Sequence, residues 1–298
     1  TGVQTCALPI YQEIFYWLVL AILGISGIFL IRYMTPYGLG LVNDSVGYIS
    51  GARSIINGDG YSRITGDWRT VPITNYPPMF SIVIAFFGLF GLEAIRASRL
   101  LVLLCIGMNI VLIAIIIRKL TKSRLISILS TVLIFSFEPL LRIHTFALSE
   151  PLYLFFILSF LFLFMTYLDR KKWYLLALCG LISSAAFLTR YVGITLFGVA
   201  ALILIVIPIT FHNRLKNIGI FLGFSLPGVC WWLIRNYTLS GNAVNRQFVF
   251  HNIPDYKIND GLQNFWNWLM PDWITLFSNP STSITTALFL LGFAFMLI

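Results

Sequence analysis

Apolar runs of about 15 to 20 residues recur along this chain, each bounded by a short polar or basic cluster. A helix rises 1.5 Å per residue, so runs of about this length approach the ~30 Å hydrocarbon thickness of a bilayer. Inside lipid every backbone N–H and C=O must be paired within the protein, which leaves helices as the form such runs can take. Composition agrees: 58% of residues are hydrophobic and only 10% are charged, against roughly 25% charged in soluble domains. The expected fold is therefore all-α, a polytopic transmembrane helical bundle, and a soluble core is excluded. Expected spans are Ile14 to Ile31, Ala97 to Ile117, Ile126 to Leu141, Glu150 to Leu168, Trp173 to Leu188, Ile194 to Ile209, Ile218 to Ile234 and one from Ile284 onward.

Charge sets the expected orientation. The net charge is +9, and nine of the 20 Lys and Arg lie in three short clusters: Arg118, Lys119, Lys122 and Arg124; Arg170, Lys171 and Lys172; Arg214 and Lys216. Short basic loops belong on the cytoplasmic side, so the basicity reads as topology and nucleic acid is not an expected partner. The stretch from Met79 to Leu92 is read as a short or re-entrant piece, because two full crossings between Met79 and Ile117 would reverse the side of all three clusters. Cys105, Cys179 and Cys230 fall in apolar segments with no zinc or redox spacing, as small core residues do. Residues 1–10, TGVQTCALPI, read as the translation of a sequencing-library adapter and are set apart from the fold. Residues 284–298 read as the start of a further span that is cut short.

Two polar loops interrupt the spans on the non-cytoplasmic side, 32–78 and 235–283, around a transmembrane core over 11–234. In the first, Val46, Ile49, Ala52 and Ile56 recur at helical spacing, with Asn43 or Asp44 as N-cap and Asn57-Gly58 as the stop. The same side collects Glu138, Arg142, His144, Glu150, Arg190 and Arg235. Ionisable groups at membrane depth face a partner or a wet cavity, or else snorkel to the headgroups. In the second loop Trp266, Trp268 and Trp273 fit an interfacial belt better than a sugar platform.

Five motifs in register carry a resemblance: Asn43-Asp44-Ser45-Val46-Gly47-Tyr48, Tyr76-Pro77-Pro78-Met79-Phe80, Ser149-Glu150-Pro151-Leu152, Leu188-Thr189-Arg190-Tyr191 and Trp232-Leu233-Ile234-Arg235-Asn236-Tyr237. Together, over about residues 14–250, they resemble the C superfamily of membrane glycosyltransferases, which includes protein O-mannosyltransferases and the lipid A aminoarabinose transferase. The resemblance implies transfer of a sugar from a polyprenyl-phosphate donor to a lipid, glycan or protein acceptor on the extracytoplasmic side of a cell membrane, the prokaryotic plasma membrane.

It also implies an acidic residue of the first loop at the reaction centre, and Asp44 is the matching position. A carboxylate near an acceptor hydroxyl can take its proton as the sugar bond breaks; capping of its helix is the alternative role for Asp44, and the two are compatible. Arg190 and Arg235 are candidates for the donor phosphate, which suits the guanidinium fork. Glu150, beside the N-terminal dipole of its helix, and Tyr76 complete the expected substrate-binding set, with a structural pairing of Glu150 to Arg142 or Arg190 as the alternative. A divalent cation held by Asp44, His144 and Glu150 is a weaker expectation. Aminoarabinose transferases carry an acid shortly before the double proline, where this chain has Thr74-Asn75-Tyr76, and His144 reads more readily as an interface residue. The rival reading is a transporter or flippase for a lipid-linked solute.

Overall fold

The computed structural model describes residues 3–244 and 254–269. Helix α1 (Val3–Met34) runs unbroken and is followed by α2 (Asn43–Asn57), a two-stranded antiparallel ribbon β1 (Ser62–Ile64) and β2 (Thr70–Pro72), and α3 (Met79–Gly88). Then come α4 (Ala94–Thr121), α5 (Arg124–Phe135), α6 (Glu138–Ile143), α7 (Glu150–Arg170) and α8 (Trp173–Thr189). A 3-10 turn (Tyr191–Gly193) leads to α9 (Ile194–Val206) and α10 (Phe211–Ser240). The described residues from Val3 to Val244 form one compact unit; α11 (Asp255–Leu269) belongs to a separate one. The expected span from Ile284 and Trp273 lie outside the described residues, as do the side chains of Trp266 and Trp268.

Among the described residues, four helices are long and apolar enough to cross a membrane: Ile10–Met34 within α1, α4, α7 and α10. The chain is a multi-pass membrane protein built of helices. On α1, Tyr16, Leu20 and Ile31 are buried against the bundle while Ile14, Leu18, Ile22, Ile25 and Phe29 form an exposed stripe at helical spacing. An outward apolar stripe on a helix of membrane-spanning length and hydropathy suits contact with lipid. Cys105 and Cys179 are buried free thiols, whereas Cys230 is exposed on α10 and is not a core residue.

Two expectations about the helices are settled by length and by proline. The short piece after Pro78 is α3, ten residues and about 15 Å, which cannot span the core. The expected span from Ile126 to Leu141 is broken into α5 and α6. Phe137 is extended there (φ −77°, ψ 112°) and Pro139 stands in the first turn of α6, where its missing N–H is tolerated, as it would not be inside a continuous helix.

The bundle has two chemically distinct ends. At the basic end, Arg118 and Arg124 donate to the carboxylate of Glu13 (2.7 and 3.1 Å) and Lys119 pairs with Asp169 at 2.6 Å, gathering two of the three basic clusters. At the opposite end, the chain after α1 is tied to the segment before α7. Gly40 N–H donates to the Thr145 carbonyl (2.9 Å) and Ala147 N–H to the Gly40 carbonyl (3.0 Å). That bridge brings α2 beside the start of α7. Helices α8 and α10 cross closely: a Cβ at Gly180 would fall 2.6 Å from the Phe221 carbonyl oxygen, so only glycine admits this approach.

Candidate active site

Asp44 does not cap its helix. The N-cap of α2 is Val42, extended at φ −121° and ψ 175°, and its N–H donates to Ser45 Oγ at 3.1 Å. The helix begins at Asn43, two residues before the Ser45 start that the apolar periodicity indicates, and Asp44 lies in its first turn with its side chain free to point outward. Its stop is as expected: Gly58 takes the left-handed conformation (φ 85°) and its N–H returns to the Ile55 carbonyl at 3.2 Å. A carboxylate in the first turn is favoured by the helix dipole.

The outward Asp44 carboxylate meets Tyr76, whose hydroxyl donates to Oδ1 at 2.8 Å. Glycines on α2 make room for the aromatic residues of the loop. A Cβ at Gly47 would lie 2.8 Å from the Tyr76 ring, and one at Gly51 would lie 2.5 Å from the Tyr61 ring. Tyr76 also packs 5.3 Å from the Tyr48 ring, centroid to centroid. Burial, the bond to Asp44 and the Asp44 charge all push the Tyr76 phenol above its ordinary pKa, with the nearby charge of Arg63 opposing them. The Tyr76 hydroxyl is thus the hydrogen-bond donor to the Asp44 carboxylate.

Tyr48 joins this pair to a second one. Its hydroxyl shares a 3.1 Å hydrogen bond with Ser149 Oγ at the start of α7. Burial, helped by the charge of Asp44, pushes the phenol up to about 12, although the bond to Ser149 works the other way. Beside Ser149, Glu150 Oε1 pairs with Arg190 Nη1, which also lies 3.5 Å from Ser149 Oγ. Of the two partners left open for Glu150 by sequence, the structure pairs it with Arg190. Both side chains are about one-third exposed, 32% for Glu150 and 35% for Arg190, so the pair itself contributes roughly 0–1 kcal/mol to stability. The second carboxylate oxygen, Glu150 Oε2, is buried and has no hydrogen-bond partner. Arg190 is held where α8 ends, its backbone extended at φ −150° and ψ 135°.

The remaining candidates are placed differently. Arg235 Nη1 and Nη2 donate to the carbonyls of Ile73 (2.9 Å) and Tyr61 (3.0 Å) at the base of the ribbon, and its guanidinium lies 5.2 Å from the Trp232 ring centroid. His144 is fully buried, with Nδ1 2.7 Å from the Leu140 carbonyl and Nε2 3.4 Å from Asn109 Nδ2. One nitrogen therefore donates and the other accepts, and neither is left for a cation. Glu150 is taken up by Arg190, and among the described residues no group of three or more His, Cys, Asp and Glu is placed to hold a metal ion. The set Asp44, His144 and Glu150 does not converge as a metal site. Arg142 and Glu138 are exposed around α6.

Sequence reading did not single out Tyr48 and Ser149, which connect the two halves, nor Arg63, whose charge reaches Tyr76. The Gly47-Tyr48 and Ser149-Glu150 dipeptides lay within quoted motifs, but a small hydroxyl and a buried phenol carry no periodic or charge signal. The ribbon that presents Arg63 has strands of only three residues and gave no alternating pattern to detect.

A family model described as dolichyl-phosphate-mannose-protein mannosyltransferase matches residues 70–241. The match takes in Tyr76, Glu150, Arg190 and Arg235, while Asp44 precedes it. No curated protein and no solved structure matches significantly.

Proposed function

From the premise that the chain belongs to the dolichyl-phosphate-mannose-protein mannosyltransferase family, we propose that it transfers a hexose, mannose by family, from a polyprenyl-phosphate donor to an acceptor hydroxyl on the extracytoplasmic face. The observation that carries this reading is the exposed Asp44 carboxylate, held by Tyr76 and linked through Tyr48 and Ser149 to the cation Arg190. A base and a phosphate-binding cation stand on one end of the bundle, opposite the basic clusters.

The proposed chemistry is a single inverting displacement. Asp44 takes the proton of the acceptor hydroxyl as its oxygen bonds to the anomeric carbon, and the bond from that carbon to the phosphate oxygen breaks. The phosphate leaves carrying the electron pair, and Arg190 stabilises the charge that accumulates on it. Tyr76, by donating to Oδ1, fixes the carboxylate so that Oδ2 faces the acceptor. Glu150 keeps Arg190 extended toward the site before the donor arrives. An apolar groove of about 450 Å³ between α1, α4 and α7, lined by Ile25, Ile28, Leu104, Met108 and Phe155, suits the isoprenoid tail. Phe155, the residue of α7 that lines the groove, lies five residues, or about 7.5 Å, along the helix from Glu150.

The test is Asp44→Asn in the full chain, reconstituted in lipid with polyprenyl-phosphate mannose and an acceptor. The amide keeps the size and the bond from Tyr76 but takes no proton at neutral pH. Transfer should fall by about 100-fold or more with folded protein unchanged. Near-normal turnover would remove Asp44 from the reaction, whereas absence of transfer by the wild-type chain would leave transport of a lipid-linked solute as the stronger reading.

A further inference from the structure

Three residues within two turns of α10 hold segments on both sides of the proposed site. Arg235 donates to the Tyr61 and Ile73 carbonyls, and these two residues also form the pair that closes the ribbon, Ile73 N–H donating to the Tyr61 carbonyl at 3.0 Å. Asn236 is fully buried; its Nδ2 donates to the Thr74 carbonyl at 3.0 Å while its Oδ1 accepts from Arg235 Nη1 at 3.2 Å. Thr74 stands two residues before Tyr76. On the other side, Trp232 Nε1 donates to the Tyr191 hydroxyl at 3.0 Å, and Tyr191 directly follows Arg190. Trp232 also packs against Tyr61, with centroids 6.0 Å apart.

We propose that Arg235 and Asn236 form a latch that positions Tyr76 and, through Trp232 and Tyr191, Arg190, and that Arg235 is a positioning residue rather than a ligand of the donor phosphate. This inference rests on the reading of Asp44, Tyr76 and Arg190 as the reaction centre. Both terminal nitrogens of the guanidinium are engaged at the ribbon: turning Nη1 and Nη2 to a phosphate would leave the Tyr61 and Ile73 carbonyls without it. A lysine would keep the charge, but its single ammonium cannot reproduce a planar fork across two carbonyls. Asn236 carries no charge at all, and it is locked to the same strand exit. A phosphate-binding role for Arg235 would involve Asn236 only as a partner of the guanidinium, whereas the latch also uses its bond to the Thr74 carbonyl, two residues before Tyr76.

The experiment compares Arg235→Lys, Asn236→Ala and the double variant with the full wild-type chain in lipid, measuring kcat and donor KM with polyprenyl-phosphate mannose. Amide hydrogen exchange is followed at 61–74, with 173–189 as the internal control for an intact bundle. The latch predicts that each single variant loses about 10- to 100-fold in kcat, as small misplacements of reacting groups do. Donor KM should stay within about threefold, because ground-state binding is kept. Exchange at 61–74 should quicken, and the double variant should be little worse than either single one. A raised donor KM in Arg235→Lys with unchanged exchange would overturn the latch in favour of phosphate binding. Faster exchange with unaltered kinetics would reduce the contacts to a structural role. Absence of transfer by the wild-type chain would instead overturn the proposed function, and the exchange data would still show whether Arg235 and Asn236 hold the ribbon.

Discussion

The Tyr76 hydroxyl reaches Asp44 Oδ1 at 2.8 Å, although 32 residues and a β-ribbon separate the two in the chain. The distance is set from below by Gly47, over which the Tyr76 ring lies, and from the side by the Tyr48 ring. Small residues on one helix face thus fix the orientation of a carboxylate that is otherwise exposed to solvent.

That relationship separates two kinds of lesion. Tyr76→Phe keeps the ring over Gly47 and removes only the donor, so it should lower transfer about tenfold through loss of one charge-assisted hydrogen bond, with the thermal unfolding midpoint unchanged. Gly47→Ala puts a methyl within 2.8 Å of the ring and moves the whole side chain. Transfer should fall at least as far as in Tyr76→Phe, and combining the two should add little. Rates from the three variants that simply multiplied would show that Gly47 acts on something other than Tyr76.

Arg190 and Glu150 make a second prediction. Arg190→Lys keeps charge near the phosphate and should weaken donor use in part, while Arg190→Gln should lose more of kcat than of apparent affinity, because the charge it balances builds up in the transition state. Glu150→Gln releases Arg190 from its ion pair while leaving an uncharged side chain of the same shape. Donor KM should fall or hold while kcat drops by about tenfold, as a more mobile guanidinium binds phosphate without being aimed. Initial-rate kinetics over a donor series decides this, and a Glu150→Gln enzyme indistinguishable from wild type would reduce the ion pair to packing.

Much of this architecture was legible in the sequence. Long apolar runs specify spans because lipid permits no unpaired backbone, and the placement of nine basic residues indicated the end that now carries the Glu13 and Asp169 pairs. Other features escaped for physical reasons. The cap at Val42 depends on the serine three residues later, not on the polar residues nearest the apolar pattern. Pro139 does not interrupt the apolar pattern, because the hydropathy around it stays high, yet it stands in the first turn of a new helix. The commitment of Arg235 to two backbone carbonyls leaves no trace in residue type, since a guanidinium looks the same whether it meets phosphate or peptide.

Buried Tyr48 makes a pH prediction. Its phenol is raised from about 10 in an unfolded chain to about 12 in the folded one. The folded state therefore holds the proton more tightly, and the stability this contributes is complete below pH 10 and is lost as pH rises toward 12. Tyr48→Phe carries no such group, so its unfolding midpoint in detergent should decline less than that of the wild type between pH 9.5 and about 11.5. Parallel declines would show that other groups dominate the alkaline transition.

The last prediction concerns the membrane itself. The ends of the bundle differ in charge: Arg118, Lys119, Arg124 and Lys171 crowd one, while Asp44, Tyr76, Glu150 and Arg190 define the other. Short loops rich in Lys and Arg are retained in the cytoplasm during insertion, so the loops at 118–124, 170–172 and 212–216 should face inward and residues 32–78 outward. Asp59, which is exposed, and Ser123, the half-buried N-cap of α5, serve as reporters; Ser123→Cys gives up one cap hydrogen bond, about 1 kcal/mol. In intact cells an impermeant thiol reagent should modify Asp59→Cys and spare Ser123→Cys until the membrane is opened. Labelling of Ser123→Cys in sealed cells would invert the bundle, put Asp44 on the cytoplasmic face, and exclude an extracytoplasmic acceptor while leaving the geometry of the site itself untouched.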